Sequence, residues 1–345
     1  VWPALGLALV VVASGLCACD RQPAPPARVV VYTSVDRIFA EPVLQMAEKT
    51  LGVEVVGVYD TEETKSTGLV NRLIARKDHP DGDIFWSGDP ARAALLKAKG
   101  VTAAYVPPGA DSIPAVYKDP DGHWIGFSAR CRVLLVNTNL VPSGGEPRSI
   151  FDLVTPTWRG KVAIANPLFG TTSFQVAAIF ETIGSQRGWA WLDGLKANGV
   201  RIVASNGEVR RQVASGAVAV GLTDSDDALE AIRDGRPVRM VFLDQVADPR
   251  TGLSGPLGNL VIPNTVSLIR TGPNPRDARR VMDYLVSVDA QRALARLCGQ
   301  APLAPGIASG AAALDLDRVV PMRVDYAAAA RRLDTLMPML KKWAE

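Results

Sequence analysis

Three carboxylates fall within four residues in the run Thr223-Asp224-Ser225-Asp226-Asp227. One or two acids at a helix start are stabilised by the helix dipole, but three exceed that need. Their repulsion calls for a hard cation held by oxygen, an ammonium group or sugar hydroxyls. A second loop, Asn166 to Gln175, carries Gly170, Thr171, Thr172 and Ser173. Thr172 and Gln175 have capping-box spacing, which predicts a helix whose first N–H groups and hydroxyls favour an anion. Ser205 and Glu208 repeat that spacing, with Asn206 between them as a further donor. Anion-binding loops on successive strand-to-helix turns predict one shared polar cleft.

Facing residues come from an earlier stretch of the chain. Thr33, Ser34 and Asp36, then Tyr59, Asp60 and Thr61, then Trp86, Ser87 and Asp89 all fall at predicted strand ends. Trp86 is either a stacking surface for a ligand or a packing aromatic. Arg130, after GFSA, is placed to meet an anion or a nearby carboxylate.

Several chemistries are excluded. Only His79 and His123 are available as imidazole bases, and both sit in polar turns, which argues against Ser-His-Asp catalysis. The chain has no GxSxG elbow, GxxxxGK[ST] loop, CxxC pair or HExxH motif. With 38 basic and 35 acidic residues it has no basic stripe suited to nucleic acid. A carboxylate-only hydrolase is the enzymatic alternative to a binding protein.

The elements that must position these loops alternate strand and helix. VVVY at 29–32, VEVVGVY at 53–59 and DIFWS at 83–87 each lead through a polar turn into a helical stretch, with Pro42 in the first turn of one helix and Gly52 at its stop. CRVLLVN at 131–137, VAIAN at 162–166, VRIVAS at 200–205 and AVAVGL at 217–222 repeat the pattern. NLVIPNTVSLI reads as strand, and Val281, Tyr284, Leu285 and Val288 fall on one helix face. This predicts an α/β fold of two doubly wound, mostly parallel lobes, with a ligand cleft beyond the strand ends. The lobes are expected at 28–130 plus 258–300 and at 131–257 plus 301–345. Cys131 and Cys298 are read equally as a disulfide or as two buried thiols.

At the other end, residues 1–19 form an apolar segment too short to span a bilayer and closed by small residues, as in an export signal. Residues 20–28, rich in proline, read as an extended tether. The segment closes Leu16-Cys17-Ala18-Cys19, which resembles a bacterial lipobox and would make Cys19 a lipidated first residue. Asp20 after it resembles an inner-membrane retention signal.

The stretches VVVYTSVDRIFAEPVL, VYDTEETKSTGLVNRL, DIFWSGD, GFSARCRVLLVNT, WRGKVAIANPLFGTTSF, LKANGVRIVASNGEV and VGLTDSDDA together resemble the periplasmic substrate-binding proteins of bacterial ABC importers, within their ferric-ion-binding cluster. The resemblance implies a type II periplasmic-binding-protein fold whose lobes close over a solute, in a monomer lying in the periplasm or cell envelope. Its implied partners are a membrane permease, a cytoplasmic ATPase and, through the lipid, the membrane, with no resident cofactor. The iron binders' histidine position is taken here by Asp36, their glutamate position by Gly88 beside Asp89, and their tyrosine pair by Asp226 and Asp227. Asp36, Asp226 and Asp227 are therefore the candidates for a metal. Gly170, Thr171 and Thr172, with Asn206, match the loops that cradle the iron binders' anion. The expected solute is thus an organic phosphate or phosphonate with its hydroxyl or ammonium end against Asp224, Asp226 and Asp227. Ferric iron with an oxyanion is the alternative.

Overall fold

β-Branched residues open the first strand, β1 (Arg28–Thr33), and its inward side chains Val29 and Val31 are fully buried. A computed structural model describes Trp2 and residues 28–60, 68–307 and 313–345 of the chain. The expected export segment, Cys19, most of the tether and Thr61 lie outside the described residues. Helix α1 (Arg37–Leu51) ends on Gly52 in the left-handed region, φ 64°. Pro42 lies inside that helix rather than in its first turn, because the helix already begins at Arg37. Then follow β2 (Glu54–Tyr59), α2 (Gly68–Ala75), β3 (Ile84–Ser87), α3 (Pro90–Ala98) and the short β4 (Thr102–Ala103). Next comes β5 (Ile125–Asn137), which at 13 residues is about 43 Å long.

Beyond β5 the chain forms β6 (Val162–Ala165), α4 (Gly170–Ile183), α5 (Ser185–Ala197), β7 (Arg201–Val203), α6 (Asn206–Ala214), β8 (Val220–Asp224), α7 (Ser225–Arg233) and β9 (Val238–Val241). It returns through β10 (Val261–Ile269), α8 (Pro275–Val286), α9 (Val288–Cys298) and β11 (Ala301–Pro302), and ends in α10 (Tyr326–Ala344). No helix among the described residues is long and apolar enough to cross a membrane.

The strands run in the order β2-β1-β3-β10-β5-β8-β6-β7. β1 pairs in parallel with β2 and β3, and β6 in parallel with β7 and β8. β10 runs antiparallel to β3 and β5, and β5 antiparallel to β8. Each lobe is therefore a parallel triplet completed by antiparallel crossing strands. A mostly parallel sheet was the expectation. The difference arises because β5 and β10 carry the chain between lobes instead of being wound by crossover helices. On β5, residues up to Cys131 pair with β10 and residues from Arg132 pair with β8. The lobe change thus falls at the Cys131–Arg132 step, directly after the expected site residue Arg130.

Both lobes bury an apolar layer under their helices: Val31, Ile84 and Trp86 on one side, Leu134, Ile164, Leu222 and Phe174 on the other. Trp86 is fully buried and packs edge-on against Phe127 at 5.3 Å, so it is a packing aromatic and not a stacking surface. Cys131 and Cys298 are free, buried thiols.

Candidate functional site

Between the lobes lies a cleft of about 1070 Å³, lined by the N-terminal ends of helices from both sides. One wall carries Ser34, Asp36, Tyr59, Gly88, Asp89 and Arg130; the other carries Gly170, Thr171, Asn206, Asp224, Asp226 and Asp227. Eleven of the fourteen expected ligand residues are thus brought together. Thr33, Ser87 and Thr172 are not on the lining. Thr33 Oγ1 accepts from the Val35 N–H and Ser87 Oγ from the Asp89 N–H, so both hydroxyls shape their turns instead.

Strand ends explain the first wall. β1 and β3 stop side by side, and the Gly88 N–H donates to Ser34 Oγ at 3.0 Å, locking the two turns together. Asp89 caps α3 by accepting from the Arg92 N–H at 3.1 Å. Asp36 precedes α1, and the Arg37 guanidinium lies 4.5 Å from the centre of the Tyr59 ring. Burial, with Glu41 nearby, raises the pKa of the Tyr59 phenol.

On the second wall α4 begins at Gly170, three residues earlier than a capping box at Thr172 requires, and no side chain caps it. Gly170 holds φ 55°, which favours glycine. Thr172 and Gln175 are therefore not a capping pair: Gln175 Oε1 accepts from Arg132 Nε at 2.9 Å. With no side-chain cap, the first N–H groups of α4 are left for a ligand. At α6 the expected cap is present, Ser205 Oγ accepting from the Glu208 N–H at 3.2 Å. The Glu208 carboxylate, however, turns to Arg211 and Gln212 rather than closing the box.

The acidic run divides into two chemistries. Asp224 Oδ1 accepts from Arg132 Nη1 at 2.7 Å. Its Oδ2 accepts from Thr171 Oγ1 at 2.7 Å, Asn206 Nδ2 at 3.2 Å and Arg130 Nε at 3.3 Å. Burial alone would raise its pKa, but the Arg132 and Arg130 guanidinium groups outweigh that and hold it below the usual range. Asp226 moves the other way: burial and the neighbouring Asp224 push it up against Arg130, and Gln300 Nε2 donates to it at 3.3 Å. Asp227 is pushed up to about 8 by burial, then by Asp226 and Asp224. Asp36, from the facing wall, adds to the repulsion on both. One carboxylate is thus already neutralised, and two lack sufficient positive charge.

Four participants were not anticipated. Arg132 is 1% exposed and touches α4, α6 and β8 at once. Asn264 on β10 accepts from Arg130 Nη1 at 3.2 Å and donates to Gln300 Oε1 at 2.6 Å, and Gln300 reaches Asp226. Arg210 on α6 pairs with Glu230 and lies 4.0 Å from Asp227. The legible signal for Arg132 was a single charge inside the apolar run CRVLLVN, since a charge in a buried strand demands a partner.

His79 is exposed, and His123 Nδ1 lies 2.8 Å from Thr102 Oγ1; neither reaches the cleft. Two α/β lobes sharing crossing strands, with converging helix N-termini at a polar cleft between them, define a solute-binding protein of the type II periplasmic class. The sequence model of the bacterial extracellular solute-binding protein family matches residues 82–321, and the chain belongs to that family. Among curated relatives, iron uptake protein A2 of a Synechocystis species is 26% identical over 262 residues, 74% of each chain. The major ferric iron-binding protein of Neisseria meningitidis is 23% identical over 292 residues, 82% of this chain and 83% of that one. Of solved structures, iron-bound HitA from Pseudomonas aeruginosa superposes with a TM-score of 0.81 at 21% identity, over 91% of this chain and 99% of that one. AfuA from Actinobacillus pleuropneumoniae, with fructose-6-phosphate bound, gives 0.78 at 19% identity over the same shares. At these identities the structural likeness speaks for the fold.

Proposed function

We propose that this chain captures a small organic phosphate or phosphonate bearing an ammonium or hydroxyl end, closes its lobes over it, and delivers it to an ABC permease driven by a cytoplasmic ATPase. The observation that carries the reading is the juxtaposition, in one cleft, of the uncapped α4 N-terminus with the under-neutralised carboxylates Asp226 and Asp227, faced by Asp36. The anionic end would meet the N–H groups of Gly170 and Thr171, and the cationic or hydroxylic end would meet the acids. Asp224 drops out as a solute contact, since Arg132 and Arg130 already hold it.

A ferric ion with an oxyanion is the second reading. It is favoured by carboxylate oxygens of Asp224, Asp226 and Asp227 lying within 4.8 Å of one another, and by the printed functions of relatives. Two guanidinium groups on Asp224 weigh against it. Thermal-shift screening with aminoethylphosphonate, a sugar phosphate and ferric citrate separates the two, because a ligand of the folded state raises Tm. A hydrolase on the same lobes would turn over a phosphorylated substrate and lose that turnover in Asp226→Ala; a binder shows none.

The segment ending Leu16-Cys17-Ala18-Cys19 supports export and anchoring through a lipid on Cys19, which would keep a monomeric receptor beside its permease. Labelling with an alkyne fatty acid, lost in Cys19→Ser, is the expected outcome.

A further inference from the structure

Asp224 lines the cleft, yet four donors already engage its two oxygens. A carboxylate offers about four lone-pair sites. Thr171, Asn206 and Arg130 crowd Oδ2, and the Arg132 guanidinium is the group that holds Oδ1. Arg132 contributes most to this arrangement. Its Nη1 also reaches Asn206 Oδ1 at 3.0 Å and Thr171 Oγ1 at 3.2 Å, while its Nε holds Gln175, so one guanidinium binds the starts of α4 and α6 to the end of β8.

Stability does not account for a charge at this place. A buried ion pair is often no more stabilising than an apolar pair of the same volume. The Nη2 of Arg132, moreover, is buried with no hydrogen-bond partner among the described residues. An unsatisfied buried donor is a cost to the fold, so the group is better explained by what its charge does at the cleft.

We propose that Arg132 is the specificity-determining residue of the cleft: a resident cation that occupies Asp224 and so prevents the three carboxylates from acting together on a metal ion. Hard trivalent cations bind by collecting several anionic oxygens. With Asp224 occupied and Arg130 beside it, such an ion meets only Asp226 and Asp227 from this wall. A solute with a single ammonium or hydroxyl end needs no more. The inference rests on the reading of the cleft as the solute site.

Terbium(III), an oxygen-seeking trivalent ion with a luminescence readout, tests this on the full chain without reference to the natural solute. Arg132→Gln frees Asp224 and should bind terbium about tenfold more tightly than the unaltered chain, as an added charged ligand does in oxygen sites. Arg132→Gln combined with Asp224→Asn should return to the starting affinity, and Arg132→Lys, which keeps the charge, should stay there. A folded Arg132→Gln variant with unchanged affinity overturns the proposal, as does a gain that survives Asp224→Asn. Should Arg132→Gln fail to fold, the charge-neutral double variant decides: terbium affinity below that of the unaltered chain would mean that Asp224 is already a metal ligand. Failure of a phosphonate to bind would sink the solute reading and leave these titrations untouched.

Discussion

Neutralising Asp227 should make the empty protein more stable at mildly alkaline pH. Its carboxyl has an ordinary pKa of 3.8 and is pushed to about 8 in the folded chain. Between those values the unfolded chain has released the proton and the folded chain retains it, so stability falls as pH rises through that window. At about 1.4 kcal/mol per pH unit, the stretch from pH 6.5 to 8 carries at most about 2 kcal/mol. The side chain is 20% exposed and Arg210 lies at 4.0 Å, so about 1 kcal/mol is expected, or about 2–4 °C in Tm. Asp244, pushed by burial to about 6, contributes in the same direction at lower pH, which is why the window begins above it. The assay is thermal melting from pH 6.5 to 8 for the unaltered chain and for Asp227→Asn. Asn at this position should flatten the decline and raise Tm at pH 8, while weakening solute binding. An unaltered chain with a level profile, or equal slopes for both proteins, would refute the reasoning.

Thr171→Val removes the hydroxyl that donates to Asp224 at 2.7 Å and should cost about 1–3 kcal/mol of stability, read as a lower denaturant midpoint, because a buried carboxylate oxygen loses a partner. Gly170→Val places a β-branched residue at φ 55°, though open space surrounds it. Backbone strain of about 1–2 kcal/mol should therefore lower Tm, and calorimetry should show weaker anion binding as the α4 start is displaced. Gln300→Leu removes the donor to Asp226 and breaks its link to Asn264 and Ser128. Calorimetry should then show a loss of about 1–2 kcal/mol in solute affinity, with the fold retained by circular dichroism. Burial raises the pKa of both Cys131 and Cys298, so peptide mapping after iodoacetamide should find them unmodified in the native protein and alkylated once it is unfolded.

The fold was legible because its signals are local. β-Branched runs bounded by polar turns marked β1, β2, β3, β6 and β7, and Gly52 and Ser205 fixed the ends of two helices by backbone chemistry that needs no tertiary context. What the pattern could not carry was strand direction: β5 and β10 read as ordinary strands, and only long-range pairing makes them antiparallel crossings. At the site, acids and hydroxyls at strand ends were legible since strand ends in such sheets converge. The division of labour among Asp224, Asp226 and Asp227 was not. It depends on Arg132, from 92 residues away in the chain, and on Gln300, 74 residues away, which spacing within one loop cannot reveal. Thr172 misled for the opposite reason: its local spacing fitted a cap, but Gly170 starts the helix earlier and Gln175 is drawn to Arg132.

Calorimetric titration of the folded chain with aminoethylphosphonate tests the central claim most directly, run beside inorganic phosphate, ethylamine and ferric citrate. The account predicts saturable binding of the two-ended solute, much weaker binding of either half alone, and loss of the signal in Asp226→Asn combined with Asp227→Asn. Tight ferric binding with a strong visible band, and no response to the phosphonate, would contradict it.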